Sequence, residues 1–166
     1  MQMFQIGLIS DTHGYFDPRL KEFFSGCQEI WHAGDIGSEA VAEEISAFRT
    51  LRAVYGNIDG AGLRSSYPGH QRFEIGGVRV WITHIGGYPG NYAPGIKEGL
   101  RTYKPGLFIS GHSHILKVIP DKEFNLLYIN PGAIGRNGFH TVRTAVRFIL
   151  DNGKVKELDV LELPRR

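Results

Sequence analysis

Seven residues in this chain of 166 stand where chemistry would place them and packing would not. Asp11 and His13 follow the apolar run FQIGLIS, and Asp35 follows EIWHAG. Asn57 comes after the run ending at Tyr55 and Gly56, and His84 directly after VRVWIT. His112 and His114 follow LFIS and Gly111. Each member has a bland reading, because Asp-x-His pairs arise by chance at roughly 0.3 per chain of this composition. Asp11 alone reads as a cap, and a lone histidine as a surface or satisfied core residue. All seven together, each at a strand exit, are hard to obtain from packing alone.

Carboxylate or carboxamide oxygens from three residues, imidazoles from four and no thiolate suit manganese, iron, zinc, cobalt or nickel. Seven side chains exceed one tetrahedral site and fit two adjacent ions if a carboxylate bridges them. Two ions roughly 3.5–4 Å apart lower the pKa of a bound water and clamp a phosphoryl group for in-line attack. That is the chemistry of phosphoester hydrolysis.

Positioning such a set requires strands that end together. Phe4–Ser10, Glu29–Ala33 and Leu51–Tyr55 read as strands separated by helices, one opened by Asp17-Pro18 and one by Ser38 and running to about Arg49. That order favours a parallel sheet, with ligands collecting at the carboxyl ends of its strands. The second half reads as antiparallel-rich. Gln71–Ile75 and Val78–Thr83 flank the turn Gly76-Gly77, and Thr141–Leu150 and Lys154–Leu163 flank Asn152-Gly153. Ile96–Tyr103 reads as a helix stopped by Pro105, and Leu107–Ser110 and Leu126–Asn130 as strands. The expected fold class is α/β (α+β): two packed mixed sheets with helices outside, in one domain over residues 1–166. In the period of a strand, the i, i+2 pairs Asp11/His13 and His112/His114 project to one side. Glycines before Asp35, Asn57 and His112 are expected to let the chain turn sharply.

Composition narrows the function classes. The chain has 19 basic against 17 acidic residues and no run of five like charges, so it lacks the stripe expected of a nucleic-acid binder. No apolar stretch approaches the length of a membrane span, and no signal peptide is visible. Cys27 is the lone cysteine and reads as a small buried hydrophobe in a cytoplasmic protein. Gly111-His112-Ser113-His114-Ile115 misses the nucleophile elbow of a serine hydrolase at its last position.

Asp11-Thr12-His13-Gly14, Gly34-Asp35, Gly56-Asn57, Thr83-His84 and Gly111-His112-Ser113-His114 resemble, in order, the motif series of the calcineurin-like metallophosphoesterases. The chain resembles in particular the small stand-alone prokaryotic phosphodiesterases of that superfamily, and Asn130-Pro131-Gly132 is similar to a further motif of that branch. The resemblance implies a four-layer αββα sandwich and two divalent metal ions, manganese first among those named above. It implies that Asp11, His13, Asp35 and His114 hold one ion, with Asp35 bridging to a second held by Asn57, His84 and His112. Asp35, Asn57 and His84 are then the expected catalytic residues. The expected substrate is a phosphodiester, attacked by a water between the ions, and a homo-oligomer is compatible with the family. The rival reading is a protein-interaction scaffold on the same fold, like the superfamily's retromer subunit.

One position departs from the pattern. Many relatives carry a histidine after the asparagine of the third motif, where it assists the leaving group; here Ile58 stands there and has no proton to give. Asp59 is read as structural, His32 as a support or core residue, and His70 and His140 as loop residues without a partner. Arg136 reads equally as a phosphate contact and as a solvated loop arginine, and Asn130 as a support at a strand end.

Overall fold

The structure, a computed structural model, describes residues 2–165. In chain order, β1 (Phe4–Ile9), α1 (Arg19–Phe23), β2 (Glu29–His32), α2 (Glu39–Phe48), β3 (Thr50–Ala53) and α3 (Ala61–Ser66) make the first half. They are followed by β4 (His70–Ile75), β5 (Val78–Thr83), the two-residue strands β6 (Gly87–Tyr88) and β7 (Asn91–Tyr92), α4 (Ile96–Tyr103) and β8 (Leu107–Ile109). Strands β9 (Leu116–Asp121), β10 (Leu126–Pro131), β11 (Val142–Asp151) and β12 (Lys154–Pro164) complete the chain.

Two five-stranded sheets result, in the orders β12-β11-β1-β2-β3 and β4-β5-β8-β10-β9. Alternation along each strand decides the layering. Ile6 and Leu8 of β1, with Trp31 of β2, meet Val80 and Ile82 of β5 and Ile109 of β8 in the core between the sheets. Ile9 and Ile30 point the other way, onto Leu20, Val41, Ile45 and Leu63 of the three flanking helices. Trp81 and Phe108 point away from the central core onto Ile96 and Leu100 of α4. Each fully buried side chain of this kind contributes about 1.5–3 kcal/mol, which is what keeps a helix as short as α1 folded. The layers are helices, sheet, sheet, helix, as expected.

The local signals hold at their ends. Ser38 Oγ accepts from Val41 N at 3.3 Å, and Asp17 Oδ1 accepts from Arg19 N at 2.9 Å ahead of α1. Gly76 and Gly77 both take positive φ, as their hairpin turn requires. The second half is less purely antiparallel than expected, since β5, β8 and β10 run parallel. Among the described residues no helix is long and apolar enough to cross a membrane.

What this arrangement positions is one edge. Strands β1, β2 and β3 are mutually parallel neighbours, and so are β5 and β8 in the facing sheet. The loops carrying all seven candidate residues leave the carboxyl ends of those five strands.

Candidate metal centre

Five of the seven candidates adopt left-handed backbone: Asp11 (φ 56°), His13 (47°), Asp35 (57°), His112 (72°) and His114 (63°). Non-glycine residues take this conformation at a cost and cluster at functional sites. It also corrects the pleat argument for the i, i+2 pairs. Strands β1 and β8 end at Ile9 and Ile109, so both pairs lie beyond the pleat, in loops where each member takes the left-handed conformation.

The glycines act mainly through space. Of the three before ligand candidates, only Gly34 has positive φ. A Cβ at Gly56 would fall on the Asp35 carboxylate, and one at Gly111 would fall on Ser10 Oγ and 3.0 Å from Asp11 Oδ2. These positions are bare because loops from different strands press together there.

The side chains form two groups with ligand atoms close together: Asp11, His13 and His114, and Asp35, His84 and His112. Asp35 Oδ2 joins them, lying 3.6 Å from His13 Nε2 and 3.2 Å from His84 Nε2. Asp11 Oδ1 lies 3.2 Å from His114 Nε2, 3.6 Å from His13 Nε2 and 4.0 Å from His84 Nε2. Asn57 Oδ1 is 3.1 Å from His112 Nδ1, beside the second group. Asp11 Oδ1, His13 Nε2 and His84 Nε2 are buried without a hydrogen-bond partner.

The far nitrogens explain why a cation fits. His84 Nδ1–H donates to the Ala33 carbonyl at 2.7 Å, so Nε2 turns a lone pair toward Asp35. His140 Nε2–H donates to the Gly135 carbonyl at 2.8 Å, which leaves its Nδ1 to accept from His114 Nδ1–H at 3.2 Å. His114 Nε2 therefore also turns a lone pair toward a carboxylate. Acceptor facing acceptor at 3.2 Å requires a proton or a metal ion between them. Burial would raise the Asp11 and Asp35 carboxyls, but the imidazoles around them hold both below the usual carboxylate range. Pairing with Asp11 raises His13. Burial pulls His84 down, but Asp35 and Asp11 leave it raised as well.

A ring of hydrogen bonds fixes the loops. Asp11 Oδ2 accepts from Ser10 Oγ at 2.6 Å and His112 N at 3.1 Å, and Asp35 Oδ1 accepts from Ile58 N at 3.0 Å. Asp59 ties two ligand loops together, accepting from Gly56 N (2.8 Å), Ile36 N (3.1 Å) and Gly37 N (2.9 Å). Asn130 braces the His112–His114 loop by donating to the Gly111 carbonyl and Ser113 Oγ. His32 is fully buried, with Nε2 on Thr12 Oγ1 at 2.9 Å and Nδ1 accepting from Gly34 N at 3.1 Å.

Two sequence expectations need correction. His140 is no idle loop residue, since it holds His114. His70 opens β4, and its Nδ1 accepts from Trp81 Nε1 at 3.1 Å. Ile58 is 47% exposed, which removes core packing as the reason for an isoleucine there. Arg136 stacks its guanidinium 3.8 Å over the Tyr15 ring. Cys27 is buried as expected, which pushes its thiol up to about 11.

The sequence profile of the calcineurin-like phosphoesterase superfamily domain matches residues 4–153. The chain belongs to that superfamily. A "probable metallophosphoesterase" of Methanothermobacter thermautotrophicus is 28% identical over 136 residues, covering 77% of this chain and 76% of that one. The solved structure of an archaeal phosphodiesterase superposes with a TM-score of 0.72 at 25% identity, covering 96% of this chain and 99% of the other. Vps29 of Chaetomium thermophilum superposes with a TM-score of 0.73 at 16% identity over 96% of this chain and 97% of that one, a likeness of fold. The superfamily is one of metal-dependent phosphoesterases, and this member has two Asp/His groups able to hold divalent ions.

Proposed function

We propose that this phosphoesterase is dinuclear and hydrolyses phosphodiesters at the Asp11–His114 cleft. The observation that carries the reading is Asp35 Oδ2, shared between two ligand groups that together leave three buried polar atoms unpartnered. Asp11, His13, Asp35 and His114 would hold one divalent ion, and Asp35, Asn57, His84 and His112 the other. All donors are nitrogen or oxygen, which suits manganese first and iron, zinc, cobalt or nickel after it. Two ions so held supply Lewis acidity toward phosphoryl oxygens and make water a stronger nucleophile at neutral pH.

The chain's own part is orientation. Asp35 sets the spacing of the two groups, and Ala33 and His140 fix the tautomers of His84 and His114. The Asn57 carboxamide N–H groups can donate to a phosphoryl oxygen as charge grows on it. Water attacks phosphorus and gives up one proton to solvent, the bond to one ester oxygen breaks, and that oxygen leaves as an anion that takes its proton from solvent.

The scaffold reading does not require the whole ligand set, and here every position of it is filled. Metal analysis of the purified protein, paired with chelator-sensitive hydrolysis of an aryl phosphodiester and an aryl phosphomonoester, tests the proposal. About two ions per chain with faster diester turnover is expected. Two bound ions without turnover of either ester would favour the scaffold.

A further inference from the structure

Large apolar side chains exposed to water are individually unremarked, yet here they gather at one place. Eight stand exposed among the described residues. Three of them directly follow a ligand candidate: Ile58 (47%), Ile85 (48%) and Ile115 (56%). A fourth, Phe139, directly precedes His140 and is fully exposed at 102%.

Three of the four fall on two sides of the cleft. Ile115 and Phe139 line a depression of about 380 Å³ together with His112 and His114. Ile85 lines another, about 540 Å³, together with Asn57 and His84. The backbone on either side of Phe139 is tied down. Arg165 donates to the Gly138 carbonyl at 2.6 Å and the His140 carbonyl at 3.1 Å, and His140 is itself bonded to Gly135 and His114.

We infer that the metal centre lies between two apolar subsites, Ile115–Phe139 and Ile85, that select phosphodiesters with bulky aromatic substituents. The inference rests on the phosphodiesterase reading and names its substrate class. A diester has two substituents, one for each side of a clamped phosphate, and the cleft has an apolar side chain at each. On the Ile115–Phe139 side the charge pattern argues against a substituent ending in another phosphate, since no lysine or arginine lines that depression, whereas Arg64 lines the Ile85 depression. No carboxylate lines either depression, so nothing there repels the diester anion.

Calorimetric titration of the manganese-loaded protein with diphenyl phosphate and with dimethyl phosphate tests this. Both probes carry the same charge and phosphate, so their difference reports the flanks. Diphenyl phosphate should bind at least tenfold tighter. In Ile115→Ser/Phe139→Ser that ratio should fall at least threefold, with the metal content of the unaltered protein retained. Equal affinities, or a preference that survives the double substitution, would overturn the inference. Hydrolysis of bis(4-nitrophenyl) phosphate separates the two readings. Turnover without the aryl preference removes the flanks alone, whereas the preference without turnover removes the phosphodiesterase reading alone. A protein that takes up no metal and binds neither probe overturns both.

Discussion

His140 grips His114 by the nitrogen that faces away from the cleft, Nδ1 to Nδ1 at 3.2 Å. Its other nitrogen is spent on the Gly135 carbonyl, so the direction of the bond is determined, and His114 Nε2 is left with a bare lone pair toward Asp11. Removing such an outer partner typically costs 10- to 100-fold in metal affinity. His140→Ala should weaken the ion held by Asp11, His13 and His114 by about that factor and leave the other ion in place. His140→Asn, which retains a side-chain acceptor, should recover part of the loss. Competition with a fluorescent chelator reads both steps, and two unchanged affinities would remove His140 from this role.

On the dinuclear reading proposed above, Asp35 and His13 should contribute unequally to the same centre. An anion shared by two cations balances both charges, whereas a terminal imidazole serves one. Asp35→Asn should bring metal content from about two ions per chain to below one, and activity down by about 10²-fold or more. His13→Gln should keep the ion at the Asp35–His84–His112 group. The asparagine can still accept from Ile58 N through its carbonyl oxygen, so the loop contact is retained and the charge is what changes. Equal metal content in the two variants, measured by mass spectrometry, would argue against the bridge.

The site was legible because its ligand candidates follow apolar runs, a signal that survives in one dimension. Its supports were legible only in part: Asp59 and Asn130 read as such, and His140 did not. His140 meets His114 across 26 residues of chain, and nothing local to Gly138-Phe139-His140 announces that contact. Left-handed backbone at Asp11 or His112 likewise has no sequence mark when the residue is not glycine or asparagine. Within the fold, β9 escaped reading because Pro120 interrupts its alternation. The proline is tolerable since β9 is an edge strand with no partner on its outer side. Helix α3 (AGLRSS) has a weak helical composition and buries only Leu63. The strands β6 and β7, at two residues each, are too short to show a period.

The buried imidazole of His32 makes stability depend on pH. Burial pushes it down to about 4, against about 6.5 for an unfolded histidine. Between those values the unfolded chain binds the extra proton and the folded one does not. Stability from this group is therefore whole above about pH 6.5 and is lost as pH falls toward 4. The loss amounts to about 3 kcal/mol at full extent. The Thr12 and Gly34 bonds hold the neutral form, with Nε2–H donating and Nδ1 accepting. Urea unfolding of the unmodified protein and His32→Gln across pH 4–8 isolates the effect, because other titrating groups cancel in the difference. A difference that stays constant over that range would contradict the assignment.

The final prediction concerns the leaving group. Ile58 occupies the position that a proton-donating histidine takes in many relatives, and its exposed side chain offers no proton. Positioned acids contribute typically 10²–10⁴-fold, so without one the ester oxygen must depart largely as an anion. Rates should then rise steeply with leaving-group acidity, and nitrophenyl diesters should outpace alkyl diesters far beyond any difference in binding. His32 cannot fill the gap, because it is fully buried and both its nitrogens are engaged. Ile58→His is a mild change to the fold: the side chain is half exposed, and the bond to Asp35 comes from its backbone N–H. That variant should flatten the leaving-group dependence, speeding poor leaving groups by about 10-fold or more while altering nitrophenyl esters little. The comparison is read from kcat across a series of substituted phenyl diesters, after circular dichroism confirms that the variant is folded. A shallow dependence in the unmodified protein would show that another group already donates the proton.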